Sequence, residues 1–188
     1  KIFILVNSFL VDTNFKLNFN LVYDYSKGIS EFIENHDRNI LIAMTVVNDS
    51  GFGVRLILSD RVQHLLLLTG ILDDKGIKAE ILHGSLKQTE RFQVLRNIKS
   101  GRCHYLLATS QLIGEGFDLA EIESVFMATP VRFSGRLIQF IGRALRSALG
   151  KIHAKVYDFI DCNEPVLNSQ AESRFKTYES QGFDILTT

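Results

Sequence analysis

Arg143 and Arg146 lie three residues apart in the segment QFIGRALRS, residues 139 to 147. With about 100° between successive residues of a helix, these two arginines and Gln139 share one face. The apolar residues near them gather on the opposite face: Leu137, Ile141, Leu145 and Ala148. Two guanidinium groups so spaced can hold one phosphate from two sides, because each donates in a fixed plane. A solvated helix face would show the same stripe, so the spacing alone leaves both interpretations open.

A second group of polar residues lies in ATSQLIGEGFDL, residues 108 to 119, directly after an apolar run. In open α/β sheets, ligands bind at the carboxyl ends of the strands. Thr109 offers a hydroxyl there, Gly116 allows a phosphate close to the backbone, and Asp118 offers a carboxylate for a ribose hydroxyl. A simple turn would use the same glycine. A dinucleotide-binding fingerprint would need a third glycine where Leu119 stands, which disfavours a Rossmann oxidoreductase.

Two motifs for nucleotide hydrolysis are missing from the sequence. No GxxxxGK[ST] phosphate loop occurs, and no adjacent Asp-Glu pair offers an acidic motif for magnesium. The segment LRSALGK has Leu145 in place of the first glycine, and Ile152 follows it in place of serine or threonine. We therefore expect little or no ATPase activity from this chain by itself.

The pattern from residue 54 onward predicts the elements that position these residues. Short apolar runs alternate with helical patterns, which is typical of βαβ units around a parallel sheet. Five runs predict buried strands: residues 54–59, 78–82, 103–109, 124–129 and 154–160. Two crossover helices are predicted between the first three strands. The first begins at Ser59 and Asp60 and buries Val62, Leu65, Leu66 and Leu72, and the second begins at Ser85 and buries Phe92, Leu95 and Ile98.

The two ends of the chain have other patterns. Residues 13–21 alternate apolar and polar side chains, which predicts a half-exposed antiparallel strand in a hairpin with KIFILV at the start. Residues 30–48 and 163–182 predict helices. We expect one compact domain with an N-terminal flank over 1–49, a core over 50–161 and a helical extension over 162–188. Because residue 1 is lysine rather than methionine, we expect a piece of a longer protein.

Composition excludes some classes of function. Lys plus Arg and Asp plus Glu are 21 each, so nucleic-acid binding must rest on a local patch. Cys103 and Cys162 lack the CxxC spacing of a zinc site and are too few for a disulfide framework, so we expect no metal site and a cytoplasmic location. No apolar stretch reaches the roughly 18 residues of a membrane span.

Taken in order, LILSDRVQHL, ILHGSL, ATSQLIGEGFDL and QFIGRALR resemble the second, C-terminal RecA-like domain of superfamily 2 helicases. Within the DEAD/DEAH-box group, they are similar to type III restriction and XPB-like DNA repair helicases. The resemblance spans about residues 50 to 161. It implies a RecA-like, three-layer αβα fold with a mostly parallel sheet, as in the helicase C-terminal domains of P-loop NTPases. It also implies an ATP-dependent helicase that shares ATP and Mg²⁺ with an N-terminal RecA-like domain and that binds nucleic acid, DNA rather than RNA.

The resemblance assigns roles residue by residue. The two arginines of the family's QxxGRxxR helix act as fingers on the γ-phosphate, which makes Arg143 and Arg146 the catalytic candidates. The candidates at the nucleotide are Gln139, Gly142, Gly116 and Asp118. The candidates near nucleic acid are Thr109, Ser59, Arg61 and His83. Two of these have a structural alternative, because Ser59 could cap the helix that follows it and His83 could be a structural histidine.

A catalytically inactive scaffold or nucleic-acid-binding module could have the same fold. A phosphate loop and an Asp-Glu motif elsewhere in the parent protein would favour the motor, and their absence would favour the scaffold. The processes that fit the resemblance are DNA repair, restriction and defence against mobile elements.

Overall fold

The computed structural model describes residues 3–11, 32–114, 121–130, 141–142 and 153–187. Its strands are β1 Phe3–Leu10, β2 Val54–Ser59, β3 Glu80–Leu82, β4 Tyr105–Thr109, β5 Ile122–Met127, β6 His153–Ile160 and β7 Asp184–Thr187. They form one sheet in the order β3-β4-β2-β5-β6-β1-β7. Every strand pairing in the described residues is parallel. The predicted parallel sheet is therefore confirmed.

Helices cover both faces of the sheet. They are α1 His36–Asn48, α2 Val62–Asp74, α3 Gln88–Lys99 and α4 Pro165–Ser180, with a short 3-10 helix at Ser110–Gly114. Side chains of α1 and α2 contribute to one apolar cluster, and side chains of α3 and α4 contribute to the other. This arrangement is the three-layer αβα fold that the sequence predicts.

Strand β2 shows why the central runs are continuously apolar. Leu56 and Leu58 belong to the cluster under α3 and α4, whereas Ile57 belongs to the cluster under α1 and α2. Successive side chains of a strand point to opposite faces, and both faces are covered here. All six residues of β2 are consequently buried.

The first strand corrects one prediction. β1 lies between β6 and β7 and pairs in parallel with both, so the predicted antiparallel hairpin is wrong for this strand. The predicted hairpin partner, residues 13–21, lies outside the described residues. Alternation of apolar and polar residues reports one buried face but not the direction of the neighbouring strand. The helices predicted in the two flanks are confirmed as α1 and α4, while the short strand β7 was not predicted.

The two crossover helices are confirmed, with corrections to their starts and buried faces. Helix α3 begins after Lys87, whose N–H donates to Glu90 Oε2 at 2.7 Å, and not at Ser85. Phe92 is 68% exposed rather than buried, because Val94 faces the sheet about 200° away around the helix. Leu66 of α2 is likewise exposed, and Leu68 is buried in its place.

A buried carboxylate joins the amino-terminal ends of three strands. Asp49 follows α1, and its Oδ1 accepts from Lys155 Nζ and Tyr157 OH, both at 2.8 Å. Its Oδ2 accepts from Ser124 Oγ at 2.9 Å and lies 3.3 Å from Arg55 Nε. Burial raises the pKa of this carboxyl, but the hydrogen bonds outweigh burial and hold the pKa below its ordinary value. Asp49 therefore stays charged and fixes β2, β5 and β6 relative to α1.

Asp49→Asn should lower the free energy of unfolding of the chain by about 3 to 5 kcal/mol, because it leaves Arg55 and Lys155 without their shared anion. Urea denaturation measures this loss. Asp73→Asn is the matched control, since Asp73 pairs with Lys78 in the solvent and such pairs contribute about 1 kcal/mol or less. Equal losses in the two variants would contradict the role of Asp49.

Candidate functional site

The carboxyl ends of β3, β4 and β2 form one continuous edge of the sheet. Ser59 lies beside Thr109 in the register of β2 and β4. Leu82 lies beside Ala108, so His83 follows at the level of Thr109. Arg61 comes two residues after β2. The fold thus brings the four residues predicted near nucleic acid to one edge, and their contact with nucleic acid remains a prediction.

Ser59 is fully buried, and its hydroxyl is held from inside the domain. His64 Nδ1 lies 3.1 Å from Ser59 Oγ, and His64 Nε2 lies 2.9 Å from Asn39 Oδ1. Asn39 Nδ2 donates to the carbonyl of Ile33, so Oδ1 accepts from His64 Nε2–H and Nδ1 accepts from the serine hydroxyl. Ser59 Oγ also accepts from the N–H of Arg61 at 3.2 Å. Helix α2 begins at Val62 after the N-cap residue Arg61 and has no side-chain cap, so the predicted cap by Ser59 is wrong. The Ser59 hydroxyl instead orders the turn that leads into α2.

His64 is a buried structural histidine, and sequence reasoning missed it. Burial, together with the smaller effect of the nearby charge of Arg38, lowers the pKa of His64 to about 3. The imidazole is therefore neutral at physiological pH, as its two hydrogen bonds require. One signal was present in the sequence, because a histidine next to Leu65 stands on the apolar face of a predicted helix.

His83 has the opposite environment. It is half-buried at the end of β3, and its Nδ1 lies 2.8 Å from Ser85 Oγ. The loop after it is held by Arg91, whose guanidinium donates to the carbonyl oxygens of Gly84 and Leu86. His83 is thus presented at the sheet edge by an ordered loop, and both its contact with nucleic acid and its structural alternative remain predictions.

A buried arginine, Arg38, joins the ends of two further strands at the same edge of the sheet. Arg38 of α1 donates from Nε to Asp161 Oδ1 at 2.9 Å and from Nη1 to the carbonyl of Ala128 at 2.6 Å. Asp161 directly follows β6 and Ala128 directly follows β5. The guanidinium also lies 4.0 Å from the centre of the Phe32 ring. These contacts fix the ends of β5 and β6 from inside the domain.

Most of the residues predicted at the nucleotide lie outside the described residues: Gln139, Arg143, Arg146, Gly116 and Asp118. Two positions of their helix are described. Ile141 is fully buried in the cluster under α3 and α4, which confirms the predicted apolar face at this position. Gly142 is helical, and a Cβ atom built on it meets no atom within 4 Å. The described part of the chain therefore does not require glycine there for packing.

No three His, Cys, Asp or Glu side chains in the described ranges come together as a metal site. None of the described helices is long and apolar enough to cross a membrane.

Residues 37–148 match the family model of the helicase conserved C-terminal domain. This match covers more than half of the chain. The chain belongs to this family. The seven-stranded parallel sheet with helices on both faces agrees with this family assignment, since it is the fold of the second RecA-like domain of superfamily 2 helicases.

Relatives and solved structures agree with this assignment. The chain is 31% identical over 97 residues to the putative ATP-dependent helicase IRC3 of Saccharomyces cerevisiae, covering 52% of this chain and 14% of IRC3. It is 36% identical over 90 residues to UvrABC system protein B of Bacillus velezensis, covering 45% of this chain and 14% of that relative. The crystal structure of T4 UvsW superimposes with a TM-score of 0.74 at 18% identity, over 100% of this chain and 41% of UvsW. The helicase C-terminal domain thus spans a small part of each of these two curated relatives.

The neutral state of His64 predicts how stability depends on pH. Its pKa in the folded state, about 3, lies below the ordinary 6.5. The neutral imidazole therefore makes its full contribution to the free energy of unfolding above pH 6.5, and this contribution is lost as the pH falls toward 3. The loss approaches about 1.4 kcal/mol per pH unit, or about 2 kcal/mol at pH 5. Urea denaturation of the helicase domain at several pH values measures this slope.

His64→Gln should flatten the slope between pH 6.5 and 5, whatever its effect at neutral pH. His83→Gln is the control, and it should keep the slope because His83 is not enclosed in the core. An unchanged slope in His64→Gln would mean that another group is responsible.

Proposed function

We propose that this chain is the C-terminal motor domain of an ATP-dependent superfamily 2 DNA helicase or translocase. In this proposal it supplies two arginine fingers, Arg143 and Arg146, to a nucleotide held by an N-terminal RecA-like domain of the same protein. The carboxyl edge of β3, β4 and β2 supplies part of the nucleic-acid track. The observation that carries the proposal is the burial of Ile141.

Ile141 fixes which face of its helix meets the core. It is fully buried among side chains of the central strands, such as Leu56 and Val156. On a helix that continues at about 100° per residue, Gln139, Arg143 and Arg146 fall about 140 to 200° from Ile141. The same helix would therefore turn its apolar side to the sheet and its guanidinium groups to a ligand outside the domain.

Gly142 supports the same direction of approach. Glycine costs about 1 kcal/mol relative to alanine in a helix interior. The described part of the chain leaves open space beside it, so packing against the described residues does not explain the glycine. A partner that comes close to the backbone from outside does, and in this proposal the partner is the nucleotide, with Gln139, Gly116 and Asp118 around it.

The mechanism assigned to the arginines is electrostatic. Phosphoryl transfer spreads negative charge over the oxygens of the γ-phosphate, and arginines brought in across a domain interface stabilise that charge. Such fingers contribute about 10³ to 10⁵ in rate, which corresponds to about 4 to 7 kcal/mol. Closure of the two domains would bring the guanidinium groups to the phosphate, and opening would withdraw them, so that the pair steps along a strand. The described residues offer no acidic cluster for Mg²⁺, so we assign the metal to the N-terminal domain and no step to this chain.

The nucleic-acid contacts are proposed on chemical grounds. Thr109 offers a hydroxyl at the end of β4, Arg61 offers a cation two residues beyond β2, and His83 lies on the neighbouring strand end. Hydroxyl and guanidinium groups are common ligands of backbone phosphates, which fits a motor that moves without reading sequence. We propose DNA as the strand because the motifs resemble those of restriction and repair helicases.

Arg143→Ala and Arg146→Ala in the full-length protein should each lower the kcat of ATP hydrolysis by about 10³-fold, because the transition-state charge loses a donor. ATPase assays with saturating nucleic acid measure this loss. Arg96→Ala, which removes an exposed arginine of α3, is the control and should leave turnover unchanged. Unchanged turnover in both finger variants would refute the assignment and favour an inactive scaffold.

The isolated 188-residue chain should hydrolyse ATP no faster than a reaction without protein, because the phosphate loop and the acidic motif are not in it. A phosphate-release assay on the purified chain, with and without single-stranded DNA, measures this. Robust hydrolysis would overturn the proposed division of labour between the two RecA-like domains.

A further inference from the structure

Asp60 connects three strand ends at the carboxyl edge. It lies between Ser59 and Arg61, directly after β2, and it is exposed. Its carboxylate accepts a hydrogen bond from the hydroxyl of Ser110, fifty residues away in sequence. Its backbone N–H donates to Thr129 Oγ1 at 3.1 Å. Because β4, β2 and β5 are neighbours in the sheet, this one residue bridges the loops that leave all three.

The two partners of Asp60 begin the segments that lead to the nucleotide candidates. Ser110 follows Thr109 and opens the 3-10 helix that leads toward Gly116 and Asp118. Thr129 lies two residues after β5, and the sequence continues from it toward Gln139, Arg143 and Arg146. Asp60 itself is followed by Arg61, a candidate phosphate contact. Asp60 therefore links the starts of two segments that carry nucleotide candidates, and a nucleic-acid candidate follows it directly.

The inner side of the same loop is fixed. Ser59 is buried and held by His64, and its hydroxyl accepts the N–H of Arg61. When a bound strand displaces Arg61, the loop consequently cannot move inward toward the core. The hydrogen bond between Asp60 and Ser110 faces outward. Through this contact, a displacement of Arg61 can move the loop that follows β4. That contact is exposed to solvent, so it can be made and broken at small cost.

We propose that Asp60, through Ser110, is a positioning residue that couples nucleic-acid binding to ATP hydrolysis. This inference rests on the proposed function of the domain. Neither side chain needs to touch the nucleotide or the strand. Without the contact, each site still works, but occupancy of the nucleic-acid track no longer accelerates hydrolysis.

The test uses the full-length protein with ATP and a single-stranded DNA oligonucleotide. Asp60→Ala and Ser110→Ala should each reduce the DNA-stimulated kcat by about tenfold, within the range of about 5 to 150-fold typical of coupling between sites. ATPase activity without DNA, the KM for ATP and the Kd for DNA should stay within about twofold of the wild type. Asp60→Asn should recover part of the stimulation, because its amide oxygen can still accept from the Ser110 hydroxyl.

A double variant separates coupling from independent effects. Asp60→Ala/Ser110→Ala should be no worse than either single variant, since both remove the same contact. Asp73→Ala is the control, because it removes another exposed aspartate, at the far end of α2, and should keep full stimulation.

Four results would overturn the inference. Normal stimulation in both single variants would do so while leaving the proposed function intact, provided that Arg61→Ala or Thr109→Ala weakens DNA binding. If the fold-losses of DNA stimulation in the two single variants multiply in the double variant, the two residues act separately. A wild-type ATPase that DNA does not stimulate would overturn both this inference and the proposed function. A lowered melting temperature with unchanged stimulation would assign Asp60 to the stability of α2 alone.

Discussion

The parallel direction of the sheet is the constraint on which the rest of the domain depends. Because every described pairing is parallel, the loops that follow β2, β3, β4, β5 and β6 leave at the same edge. Residues far apart in sequence, such as Asp60 and Ser110, become neighbours there without long or unusual connections. A parallel sheet also needs helices on both faces, which leaves this edge as the place where polar side chains can serve a ligand.

The two ends of the sheet are held by different chemistry. At the amino-terminal ends, Asp49 carries a charge that Lys155 and Arg55 balance, and this network is buried and fixed. At the carboxyl ends, Ser59 and His64 form a neutral network inside, while Asp60 bonds outward to groups near the solvent. A buried ionic network resists displacement because breaking it leaves buried charges without their partners. An exposed hydrogen bond exchanges readily with water, which suits the response to ligands that we propose for this edge.

The sequence allowed much of this fold to be predicted, and the failures have physical reasons. Five strands and their crossover helices were predictable because apolar runs between glycine and serine signals reflect burial on both faces. The neighbours of β1 were not predictable, because alternation gives no direction of pairing and β7 is a short strand at the sheet edge. At the site, the shared edge of Thr109, Ser59 and His83 followed from βαβ order. The hydrogen bonds of His64 and Asp60 did not, because they join residues brought together only by folding.

We propose that Arg143 and Arg146 complete a nucleotide site whose other half lies on an N-terminal RecA-like domain. The most direct measurement is an experimental structure of the full-length protein with DNA and a non-hydrolysable ATP analogue. We expect guanidinium nitrogens of Arg143 and Arg146 within about 3 Å of γ-phosphate oxygens, with the strand lying along the edge that holds Thr109 and Arg61. A closed complex in which both arginines face solvent, or in which the DNA avoids that edge, would contradict it.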